Sequence, residues 1–204
     1  MTPGEFAAHC AVSRETLATL ELYSGLLRKW QKRVNLVSRD SLQDLWRRHF
    51  LDSAQLYPLL PQGARTLLDL GSGAGFPGLV LAVMGVPKVH LVEADRRKCI
   101  FLREAARVMN AKVEIHCGRI EKLKPWPVDV ITARAVAPLG RFLDLVEPFL
   151  EATTCCIVLK GASAERELAE ARRLWNISAR MAPSKSDPSG RIVVLSSVTR
   201  DATS

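Results

Sequence analysis

The sequence predicts an α/β protein whose mostly parallel, doubly wound sheet is covered by helices on both faces. Three observations predict it. Short apolar runs alternate with helical stretches after residue 65, a glycine-rich turn follows the first run, and two late apolar runs flank a polar turn. Because a helical segment precedes this pattern, we expect a helical cap over residues 1–60 and one compact α/β domain over residues 61–204.

The composition is typical of one globular unit. The 204 residues are 48% hydrophobic and 25% charged, which favours a packed core over disorder. No apolar run approaches the ~18 residues of a membrane span, and the first ten residues do not resemble a signal peptide. We therefore expect a cytoplasmic protein without a membrane partner, and a monomer.

Charge and cysteine content indicate which sites and partners to expect. The five cysteines are an odd number with no Cys-x-x-Cys pair, which predicts reduced thiols and neither a disulfide framework nor a metal site. The net charge of +8 makes a polyanionic partner plausible.

Two helices are predicted in the cap. Apolar residues recur at spacings of three and four from Leu20 to Val34, and Ser13 is a suitable N-cap for that helix. A second helix is predicted from Ser41 to Tyr57, where Pro58 closes it.

Strands and helices alternate regularly in the domain. The predicted strands are Thr66 to Leu70, Val89 to Ala94, Lys112 to Cys117, Val128 to Ala133 and Cys155 to Lys160. The predicted helices are Gly78 to Met84, Arg96 to Met109, Leu139 to Leu150 and Ala164 to Trp175. A final hairpin is predicted from Asn176 to Met181 and Ile192 to Leu195, around the polar turn Pro183 to Gly190.

The glycine-rich turn is the most informative motif. Gly71, Gly73 and Gly75 allow the backbone to turn tightly and to approach a nucleotide-like ligand closely. Phe76 stands where the dinucleotide fingerprint needs its third glycine, which disfavours an NAD-dependent oxidoreductase. With Asp69 two residues before the first glycine, the turn resembles motif I of S-adenosylmethionine (SAM) methyltransferases. These enzymes close a parallel sheet with an antiparallel hairpin, so the predicted fold resembles the class I methyltransferases.

Acidic residues follow the next two strands. Glu93 can accept hydrogen bonds from both hydroxyls of a ribose at the end of its strand. Ile120 and Glu121 follow the third strand, where we expect contacts to the adenine ring.

The residues of the fourth and fifth strands indicate which kind of atom accepts the methyl group. The stretch from Thr132 to Pro138 lacks the Asn/Asp-Pro-Pro-Tyr motif of exocyclic-amine methyltransferases. Cys155 and Cys156 begin the fifth strand, the wrong end for a nucleophile that attacks a pyrimidine ring. With no convincing general base, an acceptor that needs none is favoured, and guanine N7 is one.

Two cations are predicted at the strand ends. In the methyltransferases that this sequence resembles, the position of Arg134 is where the cofactor and the methyl acceptor meet, so we expect a positioning role, with a salt bridge to Asp69 or Glu121 as the alternative. Lys160 contacts a phosphate or merely marks a helix start.

A cluster of basic residues in the cap is more suggestive of a polyanionic partner than Arg172 and Arg173, which are interpreted as an ordinary solvated face. The cap cluster consists of Arg28, Lys29, Lys32, Arg33, Arg47 and Arg48.

Nearly the whole chain resembles the RsmG (GidB) family, bacterial methyltransferases that modify a guanine N7 of 16S ribosomal RNA. The stretches that carry the resemblance are Val34-Asn-Leu-Val-Ser-Arg-Asp40, Arg48-His-Phe-Leu-Asp-Ser53, residues 69–78, Arg119-Ile-Glu121, Ala133-Arg-Ala135 and Leu159-Lys-Gly-Ala162. One departure is Glu93-Ala94, where many relatives read Asp-Ser.

The resemblance implies roles for individual residues. It implies that Gly71, Phe76, Ile120, Glu121 and Arg134 contact SAM, and that a helical cap lies beside the pocket. The implied cap residues are Asn35, Arg48, His49, Asp52 and Ser53.

The resemblance also implies a substrate, the small ribosomal subunit or its precursor, with the 530-loop guanosine as the target. The alternatives are a methyltransferase for another RNA, a protein or a small molecule, and a non-catalytic RNA-binding protein.

Overall fold

The computed structural model describes residues 1–201, in which seven strands form one sheet. The strands are β1 (Thr66–Leu70), β2 (Lys88–Glu93), β3 (Val113–Cys117), β4 (Val130–Arg134), β5 (Cys155–Lys160), β6 (Trp175–Pro183) and β7 (Arg191–Arg200). Their order is β3-β2-β1-β4-β5-β7-β6, with β1 to β5 parallel and β7 antiparallel to β5 and β6. The predicted fold class is therefore confirmed.

Strands β1 and β5 have their predicted bounds, but β4 begins at Val130 rather than at Val128. Asp129, which lies between Val128 and Val130, forms hydrogen bonds to β1 through its side chain. Its carboxylate accepts the N–H groups of Arg65 and Thr66 at 2.9 and 2.8 Å, which fixes the start of β1 beside β4.

The helices of the domain are α5 (Gly78–Val83), α6 (Arg96–Val108), α7 (Leu139–Val146) and α8 (Ala164–Ala171). Helix α8 is shorter than predicted, because Trp175 is the buried first residue of β6 and pairs with Arg200 of β7. No helix within residues 1–201 is both long enough and apolar enough to cross a lipid bilayer.

The cap contains α1 (Pro3–Cys10), α2 (Arg14–Gln31), α3 (Arg39–Gln43), a π-helical turn (Trp46–Leu51) and α4 (Asp52–Ala54). Helix α2 begins after Ser13, as predicted. Helix α1 was not predicted, although Thr2 and Glu5 form a capping box that signals its start.

The single helix predicted from Ser41 to Tyr57 is wrong, because the chain leaves the helical conformation at Asp44. The Asp44 carboxylate binds the amino terminus of Met1 at 3.0 Å and Arg47 at 3.2 Å. The π-helical turn that follows differs in pitch from an ordinary α-helix, and such turns are frequent at functional sites.

Aromatic side chains join the cap to one face of the sheet. The ring of Tyr23 lies 5.5 Å from that of Phe50, 5.2 Å from that of Phe76 and 6.2 Å from that of Phe101. Cap and domain residues thus share one buried core. The domain boundary after residue 60 remains a prediction.

Candidate functional site

The glycine-rich turn between β1 and α5 depends on left-handed backbone. Gly75 has a φ of +95°, and a Cβ there would lie 2.4 Å from Leu79 Cδ1. Gly73 has a φ of +58°, but within residues 1–201 the nearest atom to a Cβ there would be the Gly71 carbonyl oxygen at 3.8 Å. The turn is therefore packed at Gly75 and open at Gly73.

Two buried groups support this turn from below. The Asp69 carboxylate accepts the Thr132 hydroxyl at 2.9 Å and the Gly78 N–H at 3.1 Å. Burial raises the pKa of Asp69 to about 6, against these hydrogen bonds, which lower it. The Tyr23 hydroxyl donates to the Ala74 carbonyl, so α2 also holds the turn.

A cavity of about 480 Å³ lies above the turn, at the carboxyl ends of β1, β4 and β5. This volume is within the range of small-molecule sites. The predicted site residues that line it are Arg48, His49, Gly71, Gly73, Phe76, Arg134 and Lys160.

Arg134 connects β4 with the cap across this cavity. Its Nη1 lies 2.7 Å from His49 Nδ1 and 3.6 Å from Asp52 Oδ2, and donates to the Arg48 carbonyl at 3.2 Å. Its guanidinium carbon lies 5.4 Å from the centre of the Phe76 ring. The alternative ion pair predicted from the sequence is wrong, because the acidic partner of Arg134 is Asp52, not Asp69 or Glu121.

His49 is buried between two polar partners. Because a guanidinium can only donate, Nδ1 of His49 accepts from Arg134, and Nε2 carries the proton and donates to Ser41 Oγ at 2.8 Å. Burial, together with the charges of Arg134 and Arg48, lowers the pKa of His49 to about 3. The imidazole is therefore neutral at physiological pH.

The turn between β6 and β7 closes another side of the cavity. The Ser186 hydroxyl donates to Asp52 Oδ1 at 2.5 Å, and Arg48 Nη1 lies 2.8 Å from Asp187 Oδ2. Burial raises the pKa of Asp52, whereas Ser186 and Arg134 lower it.

Sequence reasoning missed Ser186 and Asp187 as site residues. A topological signal was available, because a strand antiparallel to β5 begins at the end where β5 finishes. The register pairs Arg191 with Lys160, so the polar turn before β7 must lie at the cavity.

Lys160 lines the cavity, but its amine is already engaged. Its Nζ donates to the Ala137 carbonyl at 2.5 Å and to Glu167 Oε2 at 2.8 Å. The side chain is only 10% exposed, and the pair joins the end of β5 to α8.

The other predicted cofactor residues lie outside the cavity lining. Asp69 is fully buried under the turn, and Gly75 packs against α5. Glu93 accepts the Gly73 N–H at 2.8 Å and the Asp95 N–H at 2.7 Å, so it lies one hydrogen bond from the cavity wall. These three surround the turn.

The remaining predicted residues lie farther around the rim. Ile120 is buried beyond β3, and Glu121 is exposed, 3.8 Å from Arg141. Asn35 is exposed on the loop after α2, whose next residues Leu36 and Val37 line the cavity.

The cysteines of β5 lie at its amino end, as predicted, away from the cavity. Burial raises the pKa of Cys155 and of Cys156, which disfavours a thiolate nucleophile in either.

Comparison with known proteins gives extensive matches to one family. The GidB family model, described as rRNA small subunit methyltransferase G, matches residues 16–189. The curated protein "Ribosomal RNA small subunit methyltransferase G" of Rhodospirillum rubrum is 56% identical, over 98% of this chain and 100% of its own length. The protein of the same name from Paramagnetospirillum magneticum is 55% identical, over 98% of each chain.

Solved structures resemble the fold at low sequence identity. The O-methyltransferase from Bacillus cereus, in complex with S-adenosylhomocysteine (SAH), has a TM-score of 0.59 at 17% identity. The match covers 86% of this chain and 90% of the Bacillus chain. A putative O-methyltransferase from Klebsiella pneumoniae has a TM-score of 0.58 at 16% identity, over 91% and 90%. These similarities concern the fold alone.

Proposed function

This chain belongs to the GidB family of SAM-dependent small-subunit rRNA methyltransferases, and from this premise we propose that it methylates N7 of one guanosine in 16S rRNA. The proposed target is the 530-loop guanosine. The single observation that carries the choice of N7 is the state of the cavity's titratable groups.

Each titratable side chain that lines the cavity has a partner within the described residues. His49 is neutral and bonded at both nitrogens, Asp52 binds Ser186 and Arg134, and Lys160 binds Glu167. Arg48 and Asp187 bind each other at 2.8 Å. A site without a free base suits an acceptor whose lone pair is unprotonated at neutral pH, as at guanine N7.

The residues around the turn fit SAM. The open face at Gly73 leaves room for a ligand against the backbone, and the cavity wall carries both signs of charge, as SAM itself does. We assign Gly71, Gly73 and Phe76 to the cofactor and Glu93 to its ribose, because a carboxylate can accept more than two hydrogen bonds. Ile120 and Glu121 would flank the adenine. Bound SAM supplies an electrophilic methyl group.

Arg134 would position the reactants. All of its hydrogen bonds within residues 1–201 use Nη1, so Nη2 is free to donate to a cofactor carboxylate or to a guanine edge. The neutral His49 fixes this fork by accepting one of its N–H groups. Positioning of this kind provides most of the catalysis when no proton has to be removed.

The charge of the cap suits a ribosomal substrate. Arg28, Lys29, Lys32, Arg33 and Arg47 are all exposed. They would contact phosphates, while Asn35, Arg48, His49 and Lys160 would lie nearer the target nucleotide. The guanine must leave its stack to reach the cavity. We propose that the substrate is the small subunit or its precursor and that the protein acts as a cytoplasmic monomer.

The test is mass spectrometry of 16S rRNA from bacteria that lack this protein. We expect one 7-methylguanosine to be missing, to return with the wild-type gene, and to return much less completely with Arg134→Ala. Arg166→Ala, at an arginine that is 77% exposed on α8, is the matched control and should restore the mark. An unchanged rRNA, or a missing methyl group at another atom, would contradict the proposal.

Two further measurements separate the alternatives. A non-catalytic RNA-binding protein would bind the subunit without releasing S-adenosylhomocysteine. A methyltransferase for a protein or small molecule would show no salt-dependent affinity for the subunit.

A further inference from the structure

We propose that His90, Glu114 and His116 form a binding site for a divalent transition-metal ion, with Zn²⁺ as the best-suited ion. The three residues lie on β2 and on the edge strand β3, and none of them lines the cofactor cavity. The site is independent of the proposed methyl transfer.

Two of the distances between the donor atoms are close to those of a metal polyhedron. His90 Nδ1 lies 3.0 Å from His116 Nε2 and 3.3 Å from Glu114 Oε2, and the three atoms all lie within 4.8 Å of one another. Ligand atoms bound to tetrahedral zinc at 2.0–2.1 Å are about 3.3 Å apart. Two imidazoles and one carboxylate are also a common donor set for this ion.

The sheet itself holds the donors in place. In the parallel register His90 pairs with Glu114 and Val92 pairs with His116, and alternate residues of a strand share a face. The three side chains therefore project from one face of neighbouring strands. Donors that are already ordered lose little entropy when an ion binds.

The surroundings also suit a metal ion. The Trp126 ring lies 4.8 Å from that of His90 and 4.6 Å from that of His116, and so limits the rotation of both. Burial lowers the pKa of His90 to about 4 and lowers that of His116, and metals bind neutral imidazole.

Glu114 leaves the site open to a solvent ligand. The Glu114 side chain is 55% exposed. Its other oxygen, Oε1, forms an ion pair with Lys88 Nζ at 3.1 Å. Three protein ligands with one open position allow a water molecule to complete the tetrahedron. An ion here would fasten the edge strand β3 to β2, just below Glu93 and Cys117 at the rim.

The experiment titrates the chelator-treated full chain with ZnSO₄ by calorimetry and with CoCl₂ by absorption and tryptophan fluorescence. We expect one ion per chain, a tetrahedral Co²⁺ spectrum without thiolate charge-transfer bands, and a higher melting temperature with Zn²⁺. Because Trp126 stacks on the ligands, Co²⁺ should quench fluorescence in the wild type but much less in Trp126→Phe.

Three variants give the comparison. Glu114→Gln and His116→Gln should each weaken Zn²⁺ binding by ~10-fold to 100-fold or more, the loss that even outer-shell substitutions cause. His9→Gln, at an exposed histidine of α1, is the matched control and should bind as the wild type does. Glu114 is exposed, so its variant should melt like the wild type without metal.

Several results would overturn the proposal. They are no Zn²⁺ binding to the wild type, unchanged binding in both ligand variants, or thiolate bands that assign the ion to the cysteines. In each case the two histidines would be only a hydrogen-bonded pair.

Discussion

Arg134 Nη1 lies 2.7 Å from His49 Nδ1, so a guanidinium on the sheet is held by a neutral imidazole from the cap. The imidazole can accept this hydrogen bond because burial and two neighbouring arginines keep its pKa near 3. This contact joins the π-helical turn to the end of β4, and it makes the position of Arg134 depend on the packing of the cap.

Arg134→Ala should lower the rate of methyl transfer by roughly 10²-fold, the loss typical of misplaced reactants. Arg134→Lys should also be impaired, because an ammonium cannot bond His49 and a ligand with one planar fork. Single-turnover assays with isolated small subunits measure the rate, and Arg166→Ala is the exposed control. Wild-type rates in Arg134→Ala would remove this residue from the site.

His49→Gln should retain most activity, since its amide oxygen can accept from Arg134 and its NH₂ group can donate to Ser41. His49→Ala should lose activity as Arg134→Ala does. The rate of the wild type should show no inflection near pH 6.5, the ordinary pKa of histidine, because His49 stays neutral. An inflection that His49→Gln abolishes would show that this histidine acts as a base.

His49 also makes stability depend on pH. Its pKa is about 3 in the folded protein and near 6.5 in the unfolded chain, so the unfolded chain binds the proton first as the pH falls. This group should therefore lower the free energy of unfolding by about 2 kcal/mol between pH 7 and pH 5. Urea titrations of the wild type and His49→Gln at both pH values measure the difference, and parallel curves would contradict it.

Asp69 should have the opposite dependence. Its pKa rises from 3.8 to about 6 on folding, so its contribution is present below pH 3.8 and is lost as the pH rises through 6. Relative to Asp69→Asn, the wild type should lose about 1.4 kcal/mol of unfolding free energy between pH 5 and pH 7. Asparagine can still accept from Gly78 and donate to Thr132, so the variant should fold. A pH-independent difference in stability would contradict the buried carboxylate.

Gly73→Ala and Gly75→Ala should separate binding from folding. The new methyl group of Gly75→Ala would lie 2.4 Å from Leu79 Cδ1, so this variant should lose much of its stability. Gly73→Ala should lower the free energy of unfolding by about 1 kcal/mol, mainly because alanine disfavours the left-handed backbone. Its methyl group would also occupy space beside the cavity. Thermal melts and SAM calorimetry should therefore show weaker binding in a folded Gly73→Ala. Wild-type affinity there would exclude the turn from the cofactor site.

The basic cluster of the cap predicts a salt effect. Lys32→Gln/Arg33→Gln should reduce the slope of log affinity against log salt for the small subunit by about 1.5, since each phosphate contact contributes roughly 0.7 to 0.9. Arg172→Gln/Arg173→Gln removes the same charge from another exposed face and should leave the slope unchanged. Equal slopes in both variants would mean that the cap does not bind RNA.

The local elements of the domain could be predicted from the sequence. β1 and β5 have their predicted bounds because each is a short, mostly apolar run between turn residues, a pattern typical of a buried strand. The cap was harder to predict. At the break, Asp44 binds Met1, which lies 43 positions away in the chain, and no local pattern indicates such a contact.

The sequence by itself determined the glycine turn, the order of strands and helices in the α/β domain, and the positions of Glu93 and Arg134 at strand ends. Each follows from a local pattern, since side-chain volume and backbone freedom act over a few residues. Only the tertiary structure decided that Arg134 meets His49, 85 positions before it, and that Asp187 meets Arg48 across 139 positions. Such pairs depend on how the π-helical turn and the antiparallel β7 aim distant polar groups at one cavity, and no local pattern encodes that direction.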